Sequence, residues 1–313
     1  MKRRNFLGLT TALALLPLQA FAQDKLPVVA SFSILGDMVA EVGGDRVMVS
    51  TLVGPDGDAH VYEPTPADAQ TVAAASVVFV NGLAFEGWLD RLIEASEYKG
   101  PVVVATDGIT ALEMAEEHHE GEEEHAEGEA EAEGHDHGGT DPHAWQSVEN
   151  ARIYVSNITA ALITADPQGE EVYTANASAY LAELTALEAE IQAAMVALPE
   201  SRRSVVTSHD AFGYFAAAYG MTFHAPEGIS TEAEASAADV AALITQMKAE
   251  GIPAVFMENI SDSRLLEQIT AETGAKVGGT LFSDALSGPD GPASTYLDMM
   301  RHNVATLSVA LKE

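Results

Sequence analysis

An alternation that occurs in both halves of the chain restricts its fold more than any other feature. In the first half, Leu26–Ala30 is a short apolar run suited to a strand, and Ile34–Val42 has helical apolar spacing and stops at Gly43-Gly44. Strand-like Val47–Val53, helix-like Thr65–Ala75, strand-like Val77–Val80, helix-like Phe85–Ser96 and strand-like Val102–Val104 follow. The order then returns. Strands are expected at Ser204–Thr207, Met221–Phe223, Ala254–Met257 and around Lys276-Val277, separated by helices at Phe212–Tyr219, Ala235–Glu250 and Ser263–Thr273. Both halves read β-α-β-α-β-α-β. Because crossovers between parallel strands are right-handed, each half predicts a small, mostly parallel sheet flanked by helices. The fold class is α/β with two lobes.

Between the halves, Gln168–Leu198 places Val172, Tyr180, Leu184, Leu187, Ile191 and Met195 at helical spacing and stops at Pro199. One helix of that length would be on the order of 45 Å long and would run the height of both lobes. A break near Asn176 would make two shorter helices instead. The expected division is a first lobe over 23–167, a linking helix over 168–199 and a second lobe over 200–313.

Residues 1–22 read as an export signal. Lys2, Arg3 and Arg4 precede the apolar run Phe6–Leu16, and Ala20-Phe21-Ala22 gives a small-x-small cleavage pattern. Arg3-Arg4-Asn5-Phe6-Leu7 also resembles a twin-arginine motif, so Sec and twin-arginine export both remain open. With no cysteine there is neither a disulfide nor a lipobox, so the expectation is a protein free in the periplasm with no membrane anchor. The formal charge of −33 opposes nucleic acid and anionic lipid as partners and suits a cationic ligand.

In parallel sheets, ligands bind at loops leaving the carboxyl ends of strands. Three histidines sit at or near such loops: His60 in Gly54–His60, His209 in Ser208-His209-Asp210, and His143 in Asp141-Pro142-His143, ahead of a helix expected near Ser147. Asp284 follows the last strand of the second half. Three imidazoles and a carboxylate suit a closed tetrahedral zinc site, but the four residues are far apart in sequence. Spacing alone leaves a capping or structural role open for each.

The segments carrying these residues resemble the zinc/manganese solute-binding proteins of ABC importers, zinc-uptake type. They are Gly54-Pro55-x-x-Asp58-x-His60-x-Tyr62-Glu63-Pro64-Thr65-Pro66, Asn81-Gly82-Leu83-x-x-Glu86-x-Trp88, Asp141-Pro142-His143-x-Trp145, Ser208–Phe215 and Leu281–Leu286, in the family's order. The resemblance implies two α/β lobes joined by one rigid helix, with a metal site in the interlobe cleft. It makes His60 and His143 the first-lobe ligands and His209 and Asp284 the second-lobe ligands. Manganese-preferring relatives usually carry a carboxylate at the position of His209, and imidazole here favours Zn(II). A monomer that delivers Zn(II) to a membrane permease is expected, with no enzymatic step. Manganese or mixed zinc/manganese binding within the same family is the alternative. A periplasmic zinc chaperone is the other partner to consider.

Carboxylates to orient the ligand histidines are expected from Glu63, Asp141 and Asp210. His224 and His302 read as structural or surface residues. A zinc hydrolase would need an open coordination position and a general base, and neither a His-Glu-x-x-His motif nor a spare position is evident. With unperturbed imidazoles near 6.5, binding is expected to weaken below pH about 6.

Segment 116–139 is rich in Glu, His, Gly and Ala without large apolar residues, so it cannot bury a core and is expected to be disordered without metal. Its His118, His119, His125, His135 and His137 could form a secondary, weak metal-collecting loop; a solvated acidic spacer is the plain alternative. Deleting 116–139 and titrating zinc tests this. Loss of weak equivalents and slower loading are expected, whereas unchanged stoichiometry and loading rate would reduce the segment to a spacer.

Overall fold

A computed structural model describes residues 25–113 and 139–312. The expected export signal and the five histidines of the acidic segment lie outside the described residues. The first half contains β1 (Leu26–Phe32), α1 (Ser33–Gly43), β2 (Val47–Val53), α2 (Pro66–Ala73), β3 (Val77–Val80), α3 (Leu89–Ala95) and β4 (Val102–Val104). Two helices follow, α4 (Val148–Ala165) and α5 (Glu170–Val196). The second half contains β5 (Ser204–Val206), α6 (Gly213–Tyr219), β6 (Thr222–His224), α7 (Ala237–Glu250), β7 (Ala254–Glu258), α8 (Arg264–Thr273), β8 (Lys276–Leu281) and α9 (Tyr296–Leu311).

The two sheets are parallel and share one topology, β2-β1-β3-β4 and β6-β5-β7-β8. In each, the chain moves outward in one direction from its first strand and then crosses to the other side. The carboxyl ends of β1/β3 and of β5/β7 are therefore topological switch points, where a crevice opens for a ligand. Continuous apolar runs such as Val77–Val80, buried throughout, suit strands covered on both faces.

Helix α5 is unbroken. At 1.5 Å per residue its 27 residues extend about 40 Å. It packs against α1 and α4 on one side and α6 and α9 on the other, so both halves lean on one rod. Its buried stripe is Tyr173, Ala177, Tyr180, Leu184, Leu187, Ile191 and Met195. The expected Val172 is instead 40% exposed, because stepping back seven residues from Tyr180 reaches Tyr173. Asn176 causes no break. Its Nδ2 donates to the carbonyl of Val42 at 3.1 Å, serving one of the carbonyls that α1 leaves unpaired at its end. The adjoining Gly44 has φ +54°, and an added Cβ would come 2.8 Å from that same Nδ2.

Sequence reading placed no element at α9. Its signal is present: Thr295 caps the helix, and Leu297, Met300, Val304, Leu307 and Leu311 repeat at helical spacing on a buried face. On either side of the acidic segment, Glu113 and Thr140 form an antiparallel bridge, reinforced by the Asp141 N–H donating to the Leu112 carbonyl at 2.9 Å. Among the described residues, no helix is long and apolar enough to cross a membrane.

One contact between the halves depends on pH. Asp37 of α1 accepts the N–H of Tyr296, the first residue of α9, at 2.8 Å. Burial pushes its carboxyl up to about 7; the Tyr296 N–H opposes this, while Glu41 and Asp298 add to it. The folded state therefore favours the protonated acid. The stability this contributes is present below the unfolded value near 4 and is lost as pH rises through about 7. Asp37→Asn, which stays neutral and can still accept the bond, should raise the thermal midpoint at pH 8 more than at pH 5. The difference expected by calorimetry is roughly 1–2 kcal/mol, allowing for partial solvent exposure.

Candidate metal centre

His60 lies in the loop after β2, His209 just after β5 and Asp284 just after β8, while His143 precedes a single 3-10 turn, Ala144–Gln146, that leads into α4. The structure brings all four together. One ligand atom from each lies within 4.8 Å of the others, and all four side chains are buried. His60 Nε2 is 3.3 Å from His143 Nε2 and 3.3 Å from Asp284 Oδ2, and His209 Nε2 is 3.1 Å from Asp284 Oδ2. A tetrahedron on bonds of about 2.0–2.1 Å has edges of about 3.3 Å; these three separations match it, and the whole cluster is gathered within 4.8 Å.

Each donor loop is held by its neighbours. Beyond β3, Asn81 donates through Nδ2 to the Pro142 carbonyl at 2.9 Å, next to His143, and Trp88 Nε1 donates to the Ala59 carbonyl at 2.7 Å, next to His60. Glu86 shapes this turn by accepting from Ser31 Oγ and from the N–H groups of Asn81 and Gly82. Residues 85–88, expected to be helical, are drawn into turns instead, with Leu83 and Ala84 at φ +54° and +61°. In the second half, the carbonyl of Ser283 accepts from Trp145 Nε1 and Gln146 Nε2, at 2.9 and 2.8 Å, so the first lobe grips the Asp284 loop directly.

Two ligand-position histidines have a carboxylate on the other ring nitrogen. Asp141 Oδ1 lies 2.8 Å from His143 Nδ1, as sequence reading expected. For His209 the carboxylate is one that sequence reading missed. Glu258 Oε2 lies 2.7 Å from His209 Nδ1, and its Oε1 accepts the N–H groups of Ser208 and His209. The one trace of it in the sequence is an acidic residue ending the apolar run Ala254–Met257, which only the pairing of β5 with β7 places beside His209. The other two expected carboxylates do not take this role. Glu63 is exposed on the rim of an outer cavity, and Asp210, pushed up by burial and by Asp141, contributes its N–H to the Gly228 carbonyl. His224 pairs with Ser204 Oγ at 3.0 Å and His302 with the Thr280 carbonyl at 3.0 Å, structural contacts away from the cluster.

The electrostatics describe a hole for positive charge. Burial alone would push His143 down, but Asp284 and Asp141 outweigh it and raise the ring to about 9. Against the same burial penalty, Glu258 and Asp284 raise His209 well above its ordinary value. Asp284 is held well below the usual carboxylate range despite its burial, by His209 and His143. Among the described residues its Oδ1 has no hydrogen-bond partner; it stands 3.6 Å from His143 Nε2.

Fold and donor set define a metal-binding solute-binding protein of an ABC importer. The chain matches the family model described as zinc-uptake complex component A, periplasmic (ZnuA), over residues 28–310, and it belongs to this family. It is 34% identical over 290 residues to the manganese-binding lipoprotein MntA of Halalkalibacterium halodurans, covering 93% of this chain and 90% of that one. It is 33% identical over 284 residues to the iron-binding protein YfeA of Yersinia pestis, covering 91% and 86%. Among solved structures, the periplasmic zinc-binding protein TroA of Treponema pallidum superposes with a TM-score of 0.82 at 28% identity, covering 92% of this chain and 99% of that one.

Removing Glu258 should test how the site is held. Glu258→Ala strips two buried N–H groups of their acceptor and His209 of its partner. The metal-free protein should lose about 3 kcal/mol in urea denaturation, and Glu258→Gln, which keeps an acceptor oxygen, less than half of that.

Proposed function

We propose that this chain captures Zn(II) in the periplasm for an ABC importer, holding it through His60, His143, His209 and Asp284. The observation that carries this reading is the convergence of three imidazole nitrogens and one unsatisfied carboxylate in a buried pocket between the lobes. Edge lengths alone do not separate zinc from manganese; the donor types do. Three nitrogens and one oxygen suit Zn(II), whereas Mn(II) prefers more oxygen. Relatives named for manganese and iron make a mixed zinc/manganese cargo the second reading.

The partner is the importer's membrane permease. Export is supported by the periplasmic family description and by relatives named lipoproteins. Four protein donors close the coordination sphere and leave no position for an activated water, which opposes a hydrolase. The acidic segment is a collector feeding the cleft in this proposal, and the lobe boundaries are those expected from the sequence.

Competitive titration at pH 6, 7.5 and 9 tests the assignment. One tight zinc is expected, with manganese weaker by at least about 100-fold, and each of His60→Ala, His143→Ala and His209→Ala should cut zinc affinity at least about 100-fold. Asp284→Ala should cost less if water replaces the carboxylate oxygen. Imidazole must be neutral to ligate, and His143 holds its proton up to about 9 in the metal-free site. Apparent affinity should therefore fall progressively from pH 9 to pH 6, a window higher than unperturbed histidine implies. Equal zinc and manganese affinities, or affinity flat across these pH values, would overturn the zinc assignment.

A further inference from the structure

The four donors are not held alike. The ring of His143 is braced by Asp141 at 2.8 Å and that of His209 by Glu258 at 2.7 Å, and the Asp284 loop is clasped through the Ser283 carbonyl by Trp145 and Gln146. Among the described residues, no carboxylate braces the second ring nitrogen of His60. Its ring rests edge-on against Phe85, with centroids 4.8 Å apart, and its main chain is tied to Asp58 Oδ1, which accepts the His60 N–H at 2.9 Å. His60 is also the one ligand-position side chain of the four with any solvent exposure, 4% against 0% for the other three.

That exposure opens onto a cavity of about 290 Å³ lined by His60, Tyr62, Glu63, Gly87 and Arg91 of the first lobe and Glu232 of the second. At about 30 Å³ per water, a divalent ion with six waters needs roughly 200 Å³ and fits this space. The two glutamates outnumber the single arginine on the wall, a balance that favours a cation. Beside the cavity, Thr231 Oγ1 donates to Asp58 Oδ2 at 2.6 Å across the lobes. Thr231 sits in the stretch between β6 and α7, in no helix or strand. One carboxylate thus ties the His60 loop on one oxygen and the second lobe on the other.

We infer that the ion reaches and leaves the four donors past His60, through this cavity, and that the Thr231–Asp58 contact keeps the route closed. The inference rests on the metal-binding reading above. His60 is the ligand that lets go first: no carboxylate backs its ring and it faces the cavity, and freeing Asp58 from Thr231 removes one tie on its loop, leaving those of Ala59 to Trp88 and Asp56 to Leu286. The other three donors stay in place as a half-formed site.

Zinc exchange in the full chain tests this, with stopped-flow release into excess chelator, loading of metal-free protein, and equilibrium affinity by competition. Gly87 lines the cavity, and among the described residues a Cβ there meets nothing within 4 Å, so the ring of Gly87→Phe is expected to occupy part of the cavity. Both rates should fall about tenfold while affinity stays within about threefold, as for an obstructed passage. Thr231→Val should raise both rates about fivefold, the scale of one lost hydrogen bond, and Thr231→Ser should restore them. Gly288→Phe, on the loop after Asp284 and away from the cavity lining, is equally free of contacts and should leave the rates unchanged.

Unaltered rates in both Gly87→Phe and Thr231→Val, in protein that still takes up zinc, would overturn the route. So would slowing by Gly288→Phe in place of Gly87→Phe. Failure of the wild-type chain to bind zinc at all would instead sink the functional reading, which separates the two.

Discussion

Asp284 is a fully buried carboxylate that stays ionised, and the surrounding architecture follows from that requirement. A charge out of water needs compensation close by. Here it comes from imidazoles of both lobes: His60 and His143 on one side, His209 on the other. Two of those rings lie against further carboxylates, Asp141 and Glu258, so the centre is a layered set of opposite charges, in which Asp284 Oδ1 has no hydrogen-bond partner among the described residues. In the proposed role a divalent cation would complete the set, and the raised affinity of His143 and His209 for protons means that acid would compete with it.

Holding such a centre between two lobes demands that neither drift. The first lobe reaches across repeatedly. Trp145 and Gln146 hold the Ser283 carbonyl, Ser33 Oγ accepts the Leu286 N–H at 2.9 Å, and the Asp56 N–H donates to the Leu286 carbonyl at 2.9 Å. From the second lobe, Tyr296 donates its hydroxyl to the Trp145 carbonyl at 2.7 Å. The loop bearing Asp284 is therefore hydrogen-bonded to both halves, to Asn303 and Asn259 of the second and to Trp145, Gln146, Ser33 and Asp56 of the first. The unbroken α5, packed against both halves, keeps these short contacts in register.

Most of the fold was legible because its determinants are local. Apolar runs and helical spacing placed eight strands and the helices between them; the errors were α9, passed over despite a local signal, one slip of helical phase, and one place where side-chain bonding overrode local preference. Glu86 bends residues 85–88 out of the expected helix. Val172 lies one position off the phase that buries Tyr173. The four converging residues came from motif resemblance, since no spacing rule joins positions 60, 143, 209 and 284. The brace on His143 was legible because Asp141 is two residues away. The brace on His209 was not, because Glu258 is a neighbour only through the pairing of β5 with β7. The choice of Glu63 and Asp210 failed for the same reason: adjacency along the chain does not decide which carboxylate faces a ring.

The bridge between Glu113 and Thr140 has a further consequence. It returns the chain to the strand-like stem at the place it left, just before Asp141 and His143. Whatever lies between those two positions is spliced into the protein at a single closed point. Lengthening such an excursion costs only logarithmically in chain entropy. Evolution can therefore lengthen, shorten or recompose that stretch without moving a ligand, and an experimenter can graft a reporter there on the same terms.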